Sequence, residues 1–199
     1  GLPAPGVEVK LAANGEVLVK SPATMSGYFK RPDATAEVID NHGYFHTGDA
    51  GVFDNEGHLK IIDRAADVGK MNCGAMFAPN YIENKLKFFP FIKEVVAFGH
   101  ARDQVCAFIN IDIEAVGNWS ERRGIAYSGY TDLAARAETY GLIRDCIEQV
   151  NAELAADPLM DRTQVHRFLV LHKELDPDHA ELTRNGQGRR TIAAEKHRG

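Results

Sequence analysis

Apolar and polar positions alternate along residues 7–20, VEVKLAANGEVLVK, on both sides of Asn14-Gly15. Period-two alternation predicts two half-buried strands, and Asn-Gly accepts the positive φ of a tight hairpin turn. GVFDNEGHLKIID, residues 51–63, reads as strand, turn, strand, with Asn55-Glu56-Gly57 at the turn. Between these runs, GYFHTGDAG is expected to be a loop punctuated by glycine. After Asp63 the pattern changes. APNYIENKLKFF places Ile82, Leu86 and Phe89 at helical spacing, with Pro79 near the helix start. EVVAFGH and VCAFINIDI are β-rich runs joined by ARDQ, a second candidate hairpin. Leu133, Ala137, Tyr140, Ile143, Ile147, Val150 and Leu154 then step by threes and fours. That spacing predicts one helix over 131–156, about 25 residues or roughly 37 Å long, with Thr131 as its N-cap. VHRFLVLHKEL predicts a last strand.

The expected fold class is therefore α+β. A small, turn-rich β subdomain over 1–63 precedes a helix-on-sheet domain over 64–199.

Composition narrows the picture without fixing a function. The 199 residues are 44% hydrophobic and 26% charged, as in ordinary globular proteins. A net charge of −5 argues against a general nucleic-acid binder. No apolar run approaches the roughly 20 residues that span a bilayer. Cys73, Cys106 and Cys146 are odd in number and lack C-x-x-C spacing, which suggests buried, reduced thiols and a cytoplasmic setting. Peripheral association with a membrane stays open, although no basic amphipathic anchor supports it.

Several segments carry candidate chemistry. In YFHTGDAG, Asp49 either grips a vicinal diol such as a ribose or satisfies its own turn. Arg64 either reaches a phosphate or ribose oxygen, or pairs with Asp63 or Asp67. NCGAMFAP is either a backbone-rich ligand edge or an ordinary loop. ELTRNGQGRR, residues 181–190, is either a basic anion-binding loop or a solvated tail. His42 and His46 flank Gly43 and make no convincing zinc pair, so no metal site is expected. There is no G-x-x-x-x-G-K-[ST] and no G-x-G-x-x-G.

Together, NGEVLVKSPATMSGYFKRPDATAEVIDNHGYFHTGDAGVFDNEGHLKIIDR, DRAADVGKMNCGAMFAPNYIE and ELTRNGQGRR resemble, in order, three regions of the adenylate-forming (AMP-binding) enzymes. These are the end of the large N-terminal domain, the hinge with the start of a mobile small domain, and the last motif. The resemblance is to the C-terminal portion of the family, and APNYIENKLKFFPFIKEVVAFG with the helical stretch near 114–160 looks most like long-chain fatty acyl-CoA synthetases.

The resemblance implies a ligase using a fatty acid or other carboxylate, ATP with Mg2+, and coenzyme A. Acyl-AMP and pyrophosphate form first, then the acyl-CoA thioester. Asp49 would hold the ribose hydroxyls, and Arg64 would touch ribose or phosphate. Ala66 occupies a hinge position usually polar or charged. Asn72, Cys73 and Gly74 would lie near the coenzyme A channel. Gln187 stands where the family has its catalytic lysine, and losing that positive donor costs on the order of 3 kcal/mol, or about a hundredfold in rate. The family's phosphate loop, adenine contacts, magnesium-binding glutamate and acyl pocket would lie upstream. These 199 residues are thus expected to be a fragment, inactive alone and holding no cofactor by themselves. A noncatalytic nucleotide- or CoA-binding module is the alternative, and a carrier-protein phosphopantetheine is an alternative second substrate.

Overall fold

The computed structural model describes residues 1–174, which form part of two compact units, Gly1–Val68 and the chain from Gly69 onward. In the first unit, β1 (Glu8–Leu11), β2 (Glu16–Lys20), β3 (Phe45–Phe53) and β4 (Leu59–Arg64) form an antiparallel meander in chain order. The Asn14-Gly15 turn behaves as its sequence requires: Gly15 has φ +85° and Asn14 Oδ1 accepts from Glu16 N at 3.1 Å. A short helix, α1 (Pro32–Val38), connects β2 to β3 and buries none of its residues, so no apolar stripe announces it.

GYFHTGDAG is not a loop. Residues 45–53 are the longest strand of the sheet. Its glycines mark irregularities within the ladder. Glu16 pairs with Ala50 while Leu18 pairs with His46, so Thr47, Gly48 and Asp49 lie opposite Val17 alone. This is an enlarged β-bulge, and Gly48 supplies its left-handed residue at φ +72°. A second irregularity follows on the other side, where Ala50 pairs with Asp63 but Gly51 with Ile61.

The second unit begins with a small ribbon, β5 (Gly69–Lys70) and β6 (Met76–Phe77). Helix α2 (Pro79–Lys87) starts on Pro79, as its sequence predicts, and buries Ile82, Glu83 and Leu86. It packs on β7 (Ile92–Phe98), which pairs antiparallel with β8 (Val105–Ile111). Three helices follow: α3 (Ile113–Glu121), α4 (Tyr130–Ala135) and α5 (Ala137–Ala156). The chain returns as β9 (Val165–Val170), parallel to β8. Strand order β7-β8-β9 with helical cover confirms the α+β class.

The single helix expected over 131–156 is two. Arg136 adopts an extended conformation, φ −71° and ψ 140°, and breaks it. The three-and-four apolar spacing continues across the break, which hid it. Thr131 is not the N-cap; Gly129 is, and Thr131 Oγ1 instead donates to His172 O at 3.1 Å. Helix α3 is capped by Asp112, whose Oδ1 accepts from Ala115 N at 2.9 Å. The three thiols are not uniformly buried: Cys146 is buried, Cys106 half-buried and Cys73 exposed.

Candidate nucleotide-binding bulge and companion loop

In the first unit, antiparallel register sets Asp49 directly across from Arg64. The side chains meet: Arg64 Nη1 donates to Asp49 Oδ1 at 2.7 Å. Neither Asp63 nor Asp67, the partners considered from sequence, takes this role toward the guanidinium of Arg64. Asp63 is buried and its Oδ1 accepts from the Arg64 backbone N–H at 2.7 Å. The chain then turns immediately, with Asp67 N and Val68 N both donating to Arg64 O at 2.9 and 3.2 Å. Ala66 is exposed within that turn.

The bulge around Asp49 is tied down at several points. Thr47 Oγ1 donates to Val17 O at 2.8 Å and accepts from Asp49 N at 3.1 Å. Gly48 O accepts from Ala65 N at 2.9 Å. Glu16 reaches across from β2: Oε1 accepts from Gly48 N at 3.0 Å and Oε2 accepts from His46 Nδ1 at 3.1 Å. A carboxylate only accepts, so the His46 ring carries its proton on Nδ1 here. Sequence reasoning missed Glu16 and His46. Their one signal is Glu16 directly after the Asn-Gly turn, which makes it the first residue of β2.

The result is a half-exposed carboxylate on a backbone bulge with one oxygen on a guanidinium. The second oxygen and the exposed guanidinium edge can meet hydroxyls or an anion. Surface depressions in this unit, one beside Tyr28, Phe29 and Arg31 and one beside Ser21, Thr24 and Met25, do not include either residue.

In the second unit, Asn72, Cys73 and Gly74 form the tip of the β5–β6 ribbon. Gly74 N donates to Met71 O at 2.9 Å, and Gly74 has φ +83° with open space where a Cβ would stand. Asn72 braces this tip on the loop after β7. Its Nδ2 donates to Asp103 Oδ1 at 2.8 Å and its backbone N–H to Arg102 O at 3.0 Å. All three tip residues are exposed. Gln187 lies outside the described residues. Among the described residues, no group of three or more His, Cys, Asp or Glu side chains is placed to hold a metal ion. No helix among them is long and apolar enough to cross a membrane.

The fold that carries this bulge recurs in solved adenylate-forming enzymes. The adenylation domain of a carboxylate reductase from Mycobacterium chelonae superposes with a TM-score of 0.66 at 21% identity, over 98% of this chain and 30% of that one. Apo MatB from Rhodopseudomonas palustris matches at a TM-score of 0.58 and 19% identity, over 99% of this chain and 35% of that one.

Sequence narrows the class. The chain is 31% identical to long-chain-fatty-acid–CoA ligase FadD15 of Mycobacterium tuberculosis over 98% of its length and 32% of the ligase. It is 34% identical to the putative fatty-acid–CoA ligase fadD11 of the same species, over 96% of its length and 33% of that protein. No family model matches. The chain is similar along nearly its whole length to adenylate-forming (AMP-binding) enzymes and is fatty acyl-CoA synthetase-like; it spans about a third of the length of these curated relatives.

Proposed function

We propose that this chain is the C-terminal part of an ATP-dependent acyl-CoA synthetase acting on fatty acids, with residues 64–199 as its mobile domain. The observation that carries this reading is identity above 30% to two fatty-acid–CoA ligases along nearly the whole chain. The geometry of Asp49 agrees with it. In the first step the fatty carboxylate attacks the α-phosphorus of ATP, and acyl-AMP and pyrophosphate form. In the second the coenzyme A thiol attacks the acyl carbon and AMP leaves.

Asp49 accepts hydrogen bonds from the ribose 2′ and 3′ hydroxyls. Arg64 aligns that carboxylate through its 2.7 Å contact and presents its remaining N–H groups to ribose or phosphate. Such charge-assisted bonds are worth about 1.5–3 kcal/mol each. The Asn72–Gly74 tip borders the pantetheine channel, and Gly74, without a side chain, lets the ligand approach backbone. The turn holding Ala66 is the pivot between the two steps. Mg2+ travels with the ATP phosphates, and no ligand for it is assigned among these residues.

Gln187 takes the place of a lysine and slows adenylation by about a hundredfold, since a neutral amide replaces a cation at the developing charge. That same residue favours a second reading, a binding module that holds nucleotide or coenzyme A without chemistry.

The test is pyrophosphate release by the full-length protein given ATP and a long-chain fatty acid, followed by thioester formation with coenzyme A. Gln187→Lys raises the first rate by ten- to a hundredfold. AMP binding with no pyrophosphate in either form favours the binding module. Activity in the 199-residue chain alone contradicts the fragment assignment.

A further inference from the structure

Glu16 braces the bulge from the neighbouring strand β2. It sits 33 residues before Asp49, on a different strand, with its side chain only 15% exposed. One carboxylate oxygen holds the left-handed Gly48 and the other holds the His46 ring, so a single side chain grips the bulge just before it opens and again at its middle. Asp49 is the next residue. Its backbone N–H is turned inward onto Thr47 Oγ1, which fixes the direction of its Cα–Cβ bond. Without the Glu16 bracket, Gly48 N loses its partner. The segment is then free to relax toward a regular ladder, in which successive side chains alternate faces.

We infer that Glu16, clamped by His46, is a positioning residue for nucleotide recognition: it holds the Thr47–Asp49 bulge so that Asp49 meets a ribose diol, without itself touching the nucleotide. This rests on the assignment of Asp49 to the ribose. Two features separate the role from general support of the sheet. Glu16 makes these bonds only to the bulge side of β3. Strand pairing itself is carried by backbone contacts at Ala50, His46 and Phe45, which do not need the Glu16 side chain.

The experiment compares binding of AMP and of 2′,3′-dideoxy-AMP to the full-length protein by calorimetry, in wild type, Asp49→Asn, Glu16→Ala and Glu16→Gln, with thermal melting as the control for folding. Wild type prefers AMP by about tenfold or more, the value of one charge-assisted bond. Asp49→Asn removes most of that preference. Glu16→Ala shrinks it to about twofold through weaker AMP binding, while dideoxy-AMP affinity stays within about twofold of wild type. Glu16→Gln, which keeps an acceptor for Gly48 N, retains most of it. A merely structural role would weaken both nucleotides alike and leave the ratio unchanged, and that result overturns the inference. If Asp49→Asn leaves the ratio unchanged, the ribose assignment fails first. If Asp49→Asn abolishes the preference and Glu16→Ala does not, only the role of Glu16 fails.

Discussion

The two units are stabilised in different ways. Among the described residues of Gly1–Val68, four hydrophobic side chains are buried: Val17, Leu18, Ala50 and Ile62. From Gly69 onward there are twenty-five, running from Met71 to Leu171 and including the fully enclosed Ile82, Leu86, Ile109 and Ile143. The first unit instead relies on turns closed by polar side chains. Asp40 Oδ1 accepts from His42 N and Tyr44 N, and Asp54 Oδ1 from Glu56 N and His58 N. It also leaves Phe29 and Ile61 exposed. Under the proposed function, a thin core suits a unit that holds one carboxylate on an irregular strand. The contrast teaches that the candidate site sits where burial contributes least and hydrogen bonding most.

The largest effect that would sharpen this contrast is Ile143→Ala. Emptying a fully buried site costs about 2–5 kcal/mol, and denaturant unfolding followed through unit-specific hydrogen exchange should show the loss from Gly69 onward. Next comes Gly48→Ala. Its Cβ meets nothing, so the cost of about 1–2 kcal/mol comes from the left-handed backbone alone, and it should appear as a lower melting temperature with weaker AMP binding. Asp112→Ala removes the cap of α3 and costs about 1 kcal/mol, read by thermal melting with nucleotide affinity unchanged. Asp49→Asn alters stability by no more than about 1 kcal/mol, because its ion pair with Arg64 is largely solvated. It nonetheless removes most discrimination for ribose. A large stability loss there would break the separation between site and core.

The smallest effects are with pH, and each unit holds groups that respond at both ends, of which three serve as probes. In the first, backbone donors, Tyr44 N foremost for Asp40 and His58 N for Asp54, hold both carboxyls below the ordinary value of 3.8. Their contribution is present above 3.8 and is lost as pH falls through the lower folded values. In the second, burial first and then the Asp145 charge push the Cys146 thiol from 9.0 up to about 11. Its contribution is present below 9.0 and is lost as pH rises toward about 11. Hydrogen exchange at each extreme checks which unit loosens. At pH 8, iodoacetamide should modify exposed Cys73 and spare Cys146.

What could be read from sequence was local. The Asn14-Gly15 hairpin, the Pro79 helix start and the β7–β8 pair each rest on neighbours within a few residues. Helix α1 escaped because it buries nothing, and the break at Arg136 escaped because the apolar period runs through it. Strand β3 reads as a loop in the sequence because a bulge and a loop share the same glycines. Asp49 and Arg64 were each legible as candidates. Their pairing was not, since it depends on two register shifts that flank Ala50. Glu16 lay further out of reach: its partners are 30 and 32 residues away, and its one local mark is its place directly after the Asn-Gly turn.

The parallel pairing of β8 with β9 has a consequence for synthesis of the chain. Val105 meets Val165, so the intervening helices must be made before the sheet closes. Non-local closure of this kind is slow, whereas the meander of the first unit can zip up from successive turns. A nascent chain paused before Val165 would carry β8 as a naked, apolar edge, ready to pair with any strand it meets. Premature termination in α5 is therefore expected to give aggregates rather than a shorter soluble product.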